Sequence, residues 1–471
     1  MSDLCFLSAG ELVAMMARRQ VSAREVLDAH LDRIERVNPA VNAVVTLAVD
    51  HAKRLADRAD EAVMRGETLG VLHGLPVLHK DLTETKGIRT TYGSTVYADF
   101  VPDFDSLVVE RLVGAGAVTM GKTNTPEWGT GSQTVNRVFG PTLNPYDLSR
   151  TCGGSSGGAA VALATGMAPI ADGSDMGGSL RNPASFCNVV GLRPSIGRVP
   201  SWPSRAPQFT LGTAGPMART VPDVALLMRV LSPPDPRHPL SSSVPPERFA
   251  ESLRRDFTGV VVAWTDDLGG LPVDPRVTRA MAPGPDVLAS LGCAVRREAP
   301  DLSAAEDAFL VWRAWYYALM LGDTLRDRPA DVGENAAWNV RVGLELTGAD
   351  LARAERARTA LYHRMREFLE RNEFLVTLVS QVPPFDVRLP YPPEVGGVRS
   401  ETYLDWMRAC WSISATGLPA ASVPFGFTDD GLPVGLQVVG RPGDDFGVLQ
   451  LAHAIEEATG AGRRRPPVSG S

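Results

Sequence analysis

Cys152-Gly-Gly-Ser155-Ser156-Gly-Gly158, followed 24 residues after Ser155 by Asp175-Met176-Gly177-Gly178-Ser179-Leu-Arg181, is the most unusual stretch of the chain. Paired glycines around a serine remove Cβ atoms, permit positive φ and bare backbone N–H groups, which suits close approach to a bound anion. Gly/Ser clusters also form flexible linkers and tight turns. Two of them flanking the small-residue helical run 157–168 argue instead for built loops between regular elements. Outward from there, Gly74-Leu-Pro-Val-Leu-His79, Ala117-Val-Thr-Met120 and Val189-Val-Gly-Leu192 read as short buried strands separated by helices and glycine-rich turns. This alternation over residues 71–230 predicts an α/β catalytic core.

Residues 1–70 read as a helical arm. Ser8 with Glu11, and Ser22 with Glu25, have the spacing of capping boxes. Leu27, Leu31 and Ile34 line one face of the second helix, and a third is expected over 49–65. Residues 232–248 are proline-rich and read as a surface connection. A strand is expected at 259–264, and then a long helical stretch over 303–372 carrying Trp312, Trp315, Tyr316, Tyr317 and Trp338. Residues 374–379, 420–424 and 433–439 read as further strands. The expected organisation is one interwoven α/β domain over 1–471, with a variable, substrate-shaping region at 235–400 and a return to the core sheet at 401–471.

The chain has 471 residues, 44% hydrophobic and 21% charged, in the range of ordinary globular domains. Its net charge of −7 and its lack of a basic block beyond Arg463, Arg464 and Arg465 argue against a nucleic-acid partner. No stretch reaches about 18 uninterrupted apolar residues, and the N-terminus lacks the pattern of a signal peptide, so no membrane partner and a cytoplasmic location are expected. Five widely spaced cysteines (Cys5, Cys152, Cys187, Cys293, Cys410) fit reduced thiols. Without an HxxxH pair or a CxxC motif, no metal or cofactor is expected.

Of the 47 basic residues only Lys53, Lys80, Lys86 and Lys122 are lysines. Arginine stays charged, whereas a buried lysine can be driven neutral and act as a base. Lys80 ends the buried run that starts at Gly74, which singles it out; Lys53 sits among charges on a helix. Taken alone, Gly153-Gly-Ser155-Ser-Gly157 also satisfies the G-x-S-x-G nucleophile elbow, with His363 or His453 as base. An elbow needs a buried strand before it, and residues 144–151 are polar and turn-like. A binding protein without catalysis is a third reading.

Leu78-His-Lys80-Asp81, Gly153-Gly-Ser155-Ser-Gly-Gly158 and Gly173-Ser-Asp-Met-Gly-Gly-Ser179-Leu-Arg-Asn-Pro-Ala184 resemble the amidase signature family. The similarity continues through Val190-Gly-Leu-Arg-Pro-Ser-Ile-Gly-Arg-Val-Pro200, Gly215-Pro-Met-Ala-Arg219, Thr416-Gly-Leu-Pro-Ala420 and Gly431-Leu-Pro-Val-Gly-Leu-Gln437. The resemblance implies a mixed central β-sheet covered by helices on both faces, with a helical insertion. It implies hydrolysis of small apolar or aryl amides, extending to anilides and carbamates (urethanes), by a monomer or homodimer.

By the same resemblance Ser179 is the nucleophile, Ser155 the serine after a cis peptide and Lys80 the base. The backbone amides of Met176, Gly177, Gly178 and Ser179 match the oxyanion hole, and Asp175, Arg181 and Ser156 support it. Ser174 and Arg193 stand where many members have threonine and lysine. Gly129, Thr130, Ser132 and Gln133 are candidate substrate contacts, the 312–338 aromatics a candidate acyl or aryl site, and Lys122 is read as structural. The glutaminase subunit of tRNA amidotransferases, a rival within the family, carries a tyrosine-containing stretch after Gly-Arg-Val. Here Pro200-Ser-Trp-Pro-Ser follows, which favours a free-standing enzyme.

Overall fold

The computed structural model describes residues 4–470. Its centre is an 11-stranded mixed sheet. In chain order the strands are β1 (Val44–Leu47), β2 (Pro76–Lys80), β3 (Val118–Thr123), β4 (Ile170–Asp175), β5 (Val190–Arg193) and β6 (Thr213–Ala218). They continue as β7 (Val261–Trp264), β8 (Ala294–Arg297), β9 (Phe374–Leu378), β10 (Ala420–Phe427) and β11 (Pro433–Val439). Across the sheet the order is β1-β3-β2-β4-β6-β5-β10-β11-β9-β7-β8. Strands β3, β2 and β4 run parallel, as do β9, β7 and β8, while the strands between β4 and β9 pair antiparallel.

Every residue of β2, β5, β9 and β11 is buried, so both faces of the sheet are covered at its centre. The outermost strands β1 and β8 are only four residues long; β1 is half-buried, while β8 is mostly exposed and ends on Arg296 and Arg297. Short, charged edges resist pairing with another chain.

The local signals act as the sequence predicts. Ser8 accepts from the Glu11 amide at 3.2 Å while Glu11 accepts from the Ser8 amide at 2.8 Å. Ser22 and Glu25 repeat the arrangement at the start of Ala23–Val41. The helix Gly157–Ala164 is apolar all round and buried along its whole length, as a helix must be when it packs against the sheet from within.

The helical stretch over 303–372 is three helices, Ala305–Asp327, Glu334–Leu344 and Gly348–Arg371. The first break follows from Pro329, which cannot continue a helix, and the second from Thr347, which caps the third helix in a box with Asp350. Residues 144–151 differ from the turn expected. Leu143–Asn144 pairs with Asp147–Thr151 as a small hairpin, still without the buried strand that an elbow requires. Among the described residues no helix is long and apolar enough to cross a membrane.

Candidate active site

Two neighbouring parallel strands bring the first site residues together. β2 ends on Lys80, and β4 carries Asp172, Ser174 and Asp175. The Gly154–Ser155 peptide bond is cis, and Ser155 and Ser156 lie against the lysine. Lys80 is fully buried, and its Nζ donates to Ser155 Oγ at 2.7 Å, Ser156 Oγ at 2.9 Å and Ser174 Oγ at 3.1 Å. Burial pushes the Lys80 ammonium down to about 7, against the carboxylates of Asp172 and Asp175, which pull it upward. A lysine amine that loses its charge near neutrality can take a proton from a hydroxyl at hydrogen-bond distance.

The Ser179 loop is fastened to this group by the Ser156 amide, which donates to the Ser179 carbonyl at 3.1 Å. Ser179 is 7% exposed, and among the described residues its hydroxyl has no hydrogen-bond partner. A closed network around Lys80 and Ser155 thus stands beside an unengaged serine hydroxyl. The loop is shaped by Asp175. Its carboxylate accepts from the Gly178 amide at 2.9 Å and the Leu180 amide at 3.1 Å. It also accepts from Arg181 Nε at 3.0 Å and Nη2 at 2.9 Å. Burial alone would raise the Asp175 carboxyl, but Arg181 and Arg193 hold it far below the usual carboxylate range.

Gly178 differs from the other loop residues. Its amide is spent on Asp175, so the amides left without a partner among the described residues are those of Met176, Gly177 and Ser179. Gly178 has φ +113, and a Cβ there would lie 2.5 Å from Cys410 Cβ, so only glycine fits.

The candidate substrate contacts divide. Gly129 borders the serine pair, since a Cβ on it would lie 3.4 Å from Ser155 Oγ. Among the described residues Thr130 Oγ1 is buried without a partner. Gln133 Nε2 donates to the Leu389 carbonyl, leaving Oε1 unpartnered, and Ser132 Oγ accepts from Trp406 Nε1 at 2.9 Å. The aromatic group reaches the Ser179 loop through Met176, which packs on a cluster of Tyr317, Leu321, Val332 and Val340. Phe309 abuts Gly177, and Tyr316 stacks on Phe209 at 4.3 Å.

Lys122 is also fully buried, its ammonium pushed down to about 8 by burial, and it donates to the Thr83 carbonyl and to Thr85 Oγ1 at 3.1 Å. It pins the segment after β2. His363 is exposed, and His453 sits 3.6 Å from Glu456; among the described residues neither hydrogen-bonds a serine of the site.

Asp172 is the residue that the sequence reading missed. It accepts from the Thr83 hydroxyl at 2.8 Å and pairs with His79 Nδ1 at 2.6 Å, directly behind Lys80. A carboxylate inside the apolar run Ile170-Ala-Asp172-Gly was the available signal, because a buried charge needs partners. Ser414 and Gln437, which accept from Arg181, were equally unassigned.

The family model described as Amidase matches residues 25–449. The chain belongs to the amidase signature family. It is 35% identical over 460 residues to an acylamidase of Rhodococcus erythropolis, covering 96% of each chain. It is also 35% identical over 502 residues to a glutamyl-tRNA(Gln) amidotransferase subunit from Moorella thermoacetica, covering 98% of this chain and 99% of that one. The fold superimposes on a bacterial aryl acylamidase of the family with a TM-score of 0.93 at 29% identity over the full length of both. This member of the amidase signature family is therefore a hydrolase acting on C–N bonds, built on the mixed sheet and helices typical of the family.

Proposed function

We propose that this protein is a free-standing, cytoplasmic amidase that cleaves small apolar or aryl amides and anilides, with carbamates as the nearest extension. It works through an acyl-enzyme on Ser179, with Ser155 as relay and Lys80 as base. The observation that carries the proposal is the fully buried Lys80, pushed to about 7, with Nζ 2.7 Å from Ser155 Oγ.

In this reading neutral Lys80 accepts the Ser155 proton while Ser155 accepts that of Ser179, since one hydroxyl donates and accepts at once. Ser179 Oγ bonds to the acyl carbon, and the amides of Met176, Gly177 and Ser179 receive the negative charge that develops on oxygen. Each donor of this kind is worth about 3 kcal/mol. The C–N bond then breaks, the relay returns its proton to the leaving nitrogen, and water releases the acid.

The relatives include an aryl acylamidase and a component of an amidotransferase. Support for the free-standing reading comes from Pro200-Ser-Trp-Pro203 and from TM-scores of 0.93 for the aryl acylamidase against 0.74 for a glutamyl-tRNA(Gln) amidotransferase subunit from Thermotoga maritima. The five cysteines are all buried thiols, as a reducing compartment leaves them.

Turnover of aliphatic amides, anilides, esters and carbamates by the parent enzyme and by Ser179→Ala tests the proposal, together with mass-spectrometric location of a fluorophosphonate label. The label is expected on Ser179. Attachment at Ser155, or undiminished turnover by Ser179→Ala, overturns it.

A further inference from the structure

Arg313 lies in the middle of Ala305–Asp327 and is 5% exposed. Its Nη2 donates to the Tyr403 hydroxyl, and its guanidinium carbon sits 4.6 Å from the Tyr317 ring centroid and 5.6 Å from that of Tyr403. Among the described residues no carboxylate pairs with it; its Nε and Nη1 are shut off from solvent and make no hydrogen bond of good geometry, the Tyr317 hydroxyl being the other polar group beside the guanidinium. Burying an ion without a carboxylate counter-charge is costly. Two aromatic faces and one phenol bond offset part of that cost. The two tyrosines favour the charged form, and two of the three guanidinium nitrogens are left able to donate to a further acceptor.

The place of Arg313 matters as much as its charge. Phe309, Arg313 and Tyr317 follow one another at four-residue spacing, so they share one helix face. Phe309 abuts Gly177, and Met176 packs on the cluster that holds Tyr317. Arg313 thus lies between Phe309, which touches the Ser179 loop, and Tyr317, whose apolar cluster Met176 packs on. On its other side, Tyr403 Oη also accepts from Asn339 Nδ2 at 2.9 Å. One turn back on that helix, Asn335 Nδ2 is 3.3 Å from where a Gly131 Cβ would be. Gly131 belongs to the loop whose Thr130 Oγ1 and Gln133 Oε1 are buried and unpartnered.

We infer that Arg313 anchors a carboxylate on the substrate, remote from the bond that is cut, so that the preferred substrates are amides bearing a free acid. This rests on the amidase reading above and adds a free acid to the small aryl or alkyl amide that it names. The acid belongs to the acyl half or to the amine half of the substrate, and paired probes separate the two.

Calorimetric binding to the Ser179→Ala protein measures this without turnover. Glutaric acid monoanilide is compared with pentananilide, and para-acetamidobenzoate with para-methylacetanilide. One acid is expected to bind at least tenfold more tightly than its neutral mate. That preference disappears in Arg313→Met and in Arg313→Gln, and returns in part in Arg313→Lys. Two apolar or neutral replacements keep the comparison available should one fail to fold, with thermal unfolding as the check. If neither acid outbinds its neutral mate, or the preference survives the loss of Arg313, the inference is overturned. Hydrolysis of the two neutral anilides by the parent enzyme reports separately on the amidase reading.

Discussion

Lys80 Nζ and Ser155 Oγ lie 2.7 Å apart, and neither side chain is more than 2% exposed. Water, which would hold the lysine charged, is excluded from the pair. Burial brings the Lys80 pKa down to about 7, outweighing the carboxylates of Asp172 and Asp175, which favour the ammonium.

The first expected outcome is a pH profile. Only the neutral amine has a lone pair, so kcat/KM should climb with pH through an ascending limb centred near 7, falling about tenfold per unit below it. Lys80→Arg keeps a charge that does not titrate, and steady-state kinetics should show a loss of about 10²- to 10⁴-fold.

Asp172 lifts the Lys80 pKa through its charge. Asp172→Asn keeps the shape and removes that charge, so the ammonium becomes less favourable. The ascending limb should therefore move to lower pH. A limb that stays in place, or moves up, would show that Asp172 does not act on the lysine.

Asp175 concerns stability. With its folded pKa held below the ordinary 3.8, the carboxylate contributes stability that is present above 3.8 and lost as pH falls below it. Asp175→Asn leaves Arg181 and Arg193 buried without their counter-charge, a loss of about 3–5 kcal/mol. Urea unfolding should show the full difference at pH 7, and the gap between parent and variant should narrow steadily as the pH is taken below 3.8.

A histidine-dependent mechanism makes the opposite forecast from a lysine-dependent one. The double variant His363→Ala, His453→Ala should keep kcat/KM within about twofold, since an exposed histidine and one paired with Glu456 stand apart from the serines. Loss of activity at constant thermal stability would restore the elbow reading of Ser155.

Much of this site is written in local chemistry. Lys80 stands out because it ends an apolar run, and the capping boxes at Ser8 and Ser22 because their partners are three residues away. The two glycine loops announce themselves by composition. What escapes is whatever depends on distant partners. β4 ends in Gly-Ser-Asp and β6 contains glycine and proline, so neither shows a strand's residue preferences; pairing between them supplies the order. The Gly178 amide is indistinguishable from its neighbours until the Asp175 side chain turns back on it. Arg313 looks like one more arginine in an aromatic stretch, because the lack of a carboxylate partner among the described residues is a property of three dimensions.

The three helices Ala305–Asp327, Glu334–Leu344 and Gly348–Arg371 enter the chain after β8 and leave it before β9, contributing no strand. The residues proposed to handle the proton hang on β2, β4 and the loops beside them, far away in sequence. Change in one module can therefore accumulate without disturbing the other. On the proposed reading, a lineage built this way retunes which molecules it admits while its bond-breaking apparatus stays fixed, and exchange of that helical cassette between relatives is a route to new selectivity.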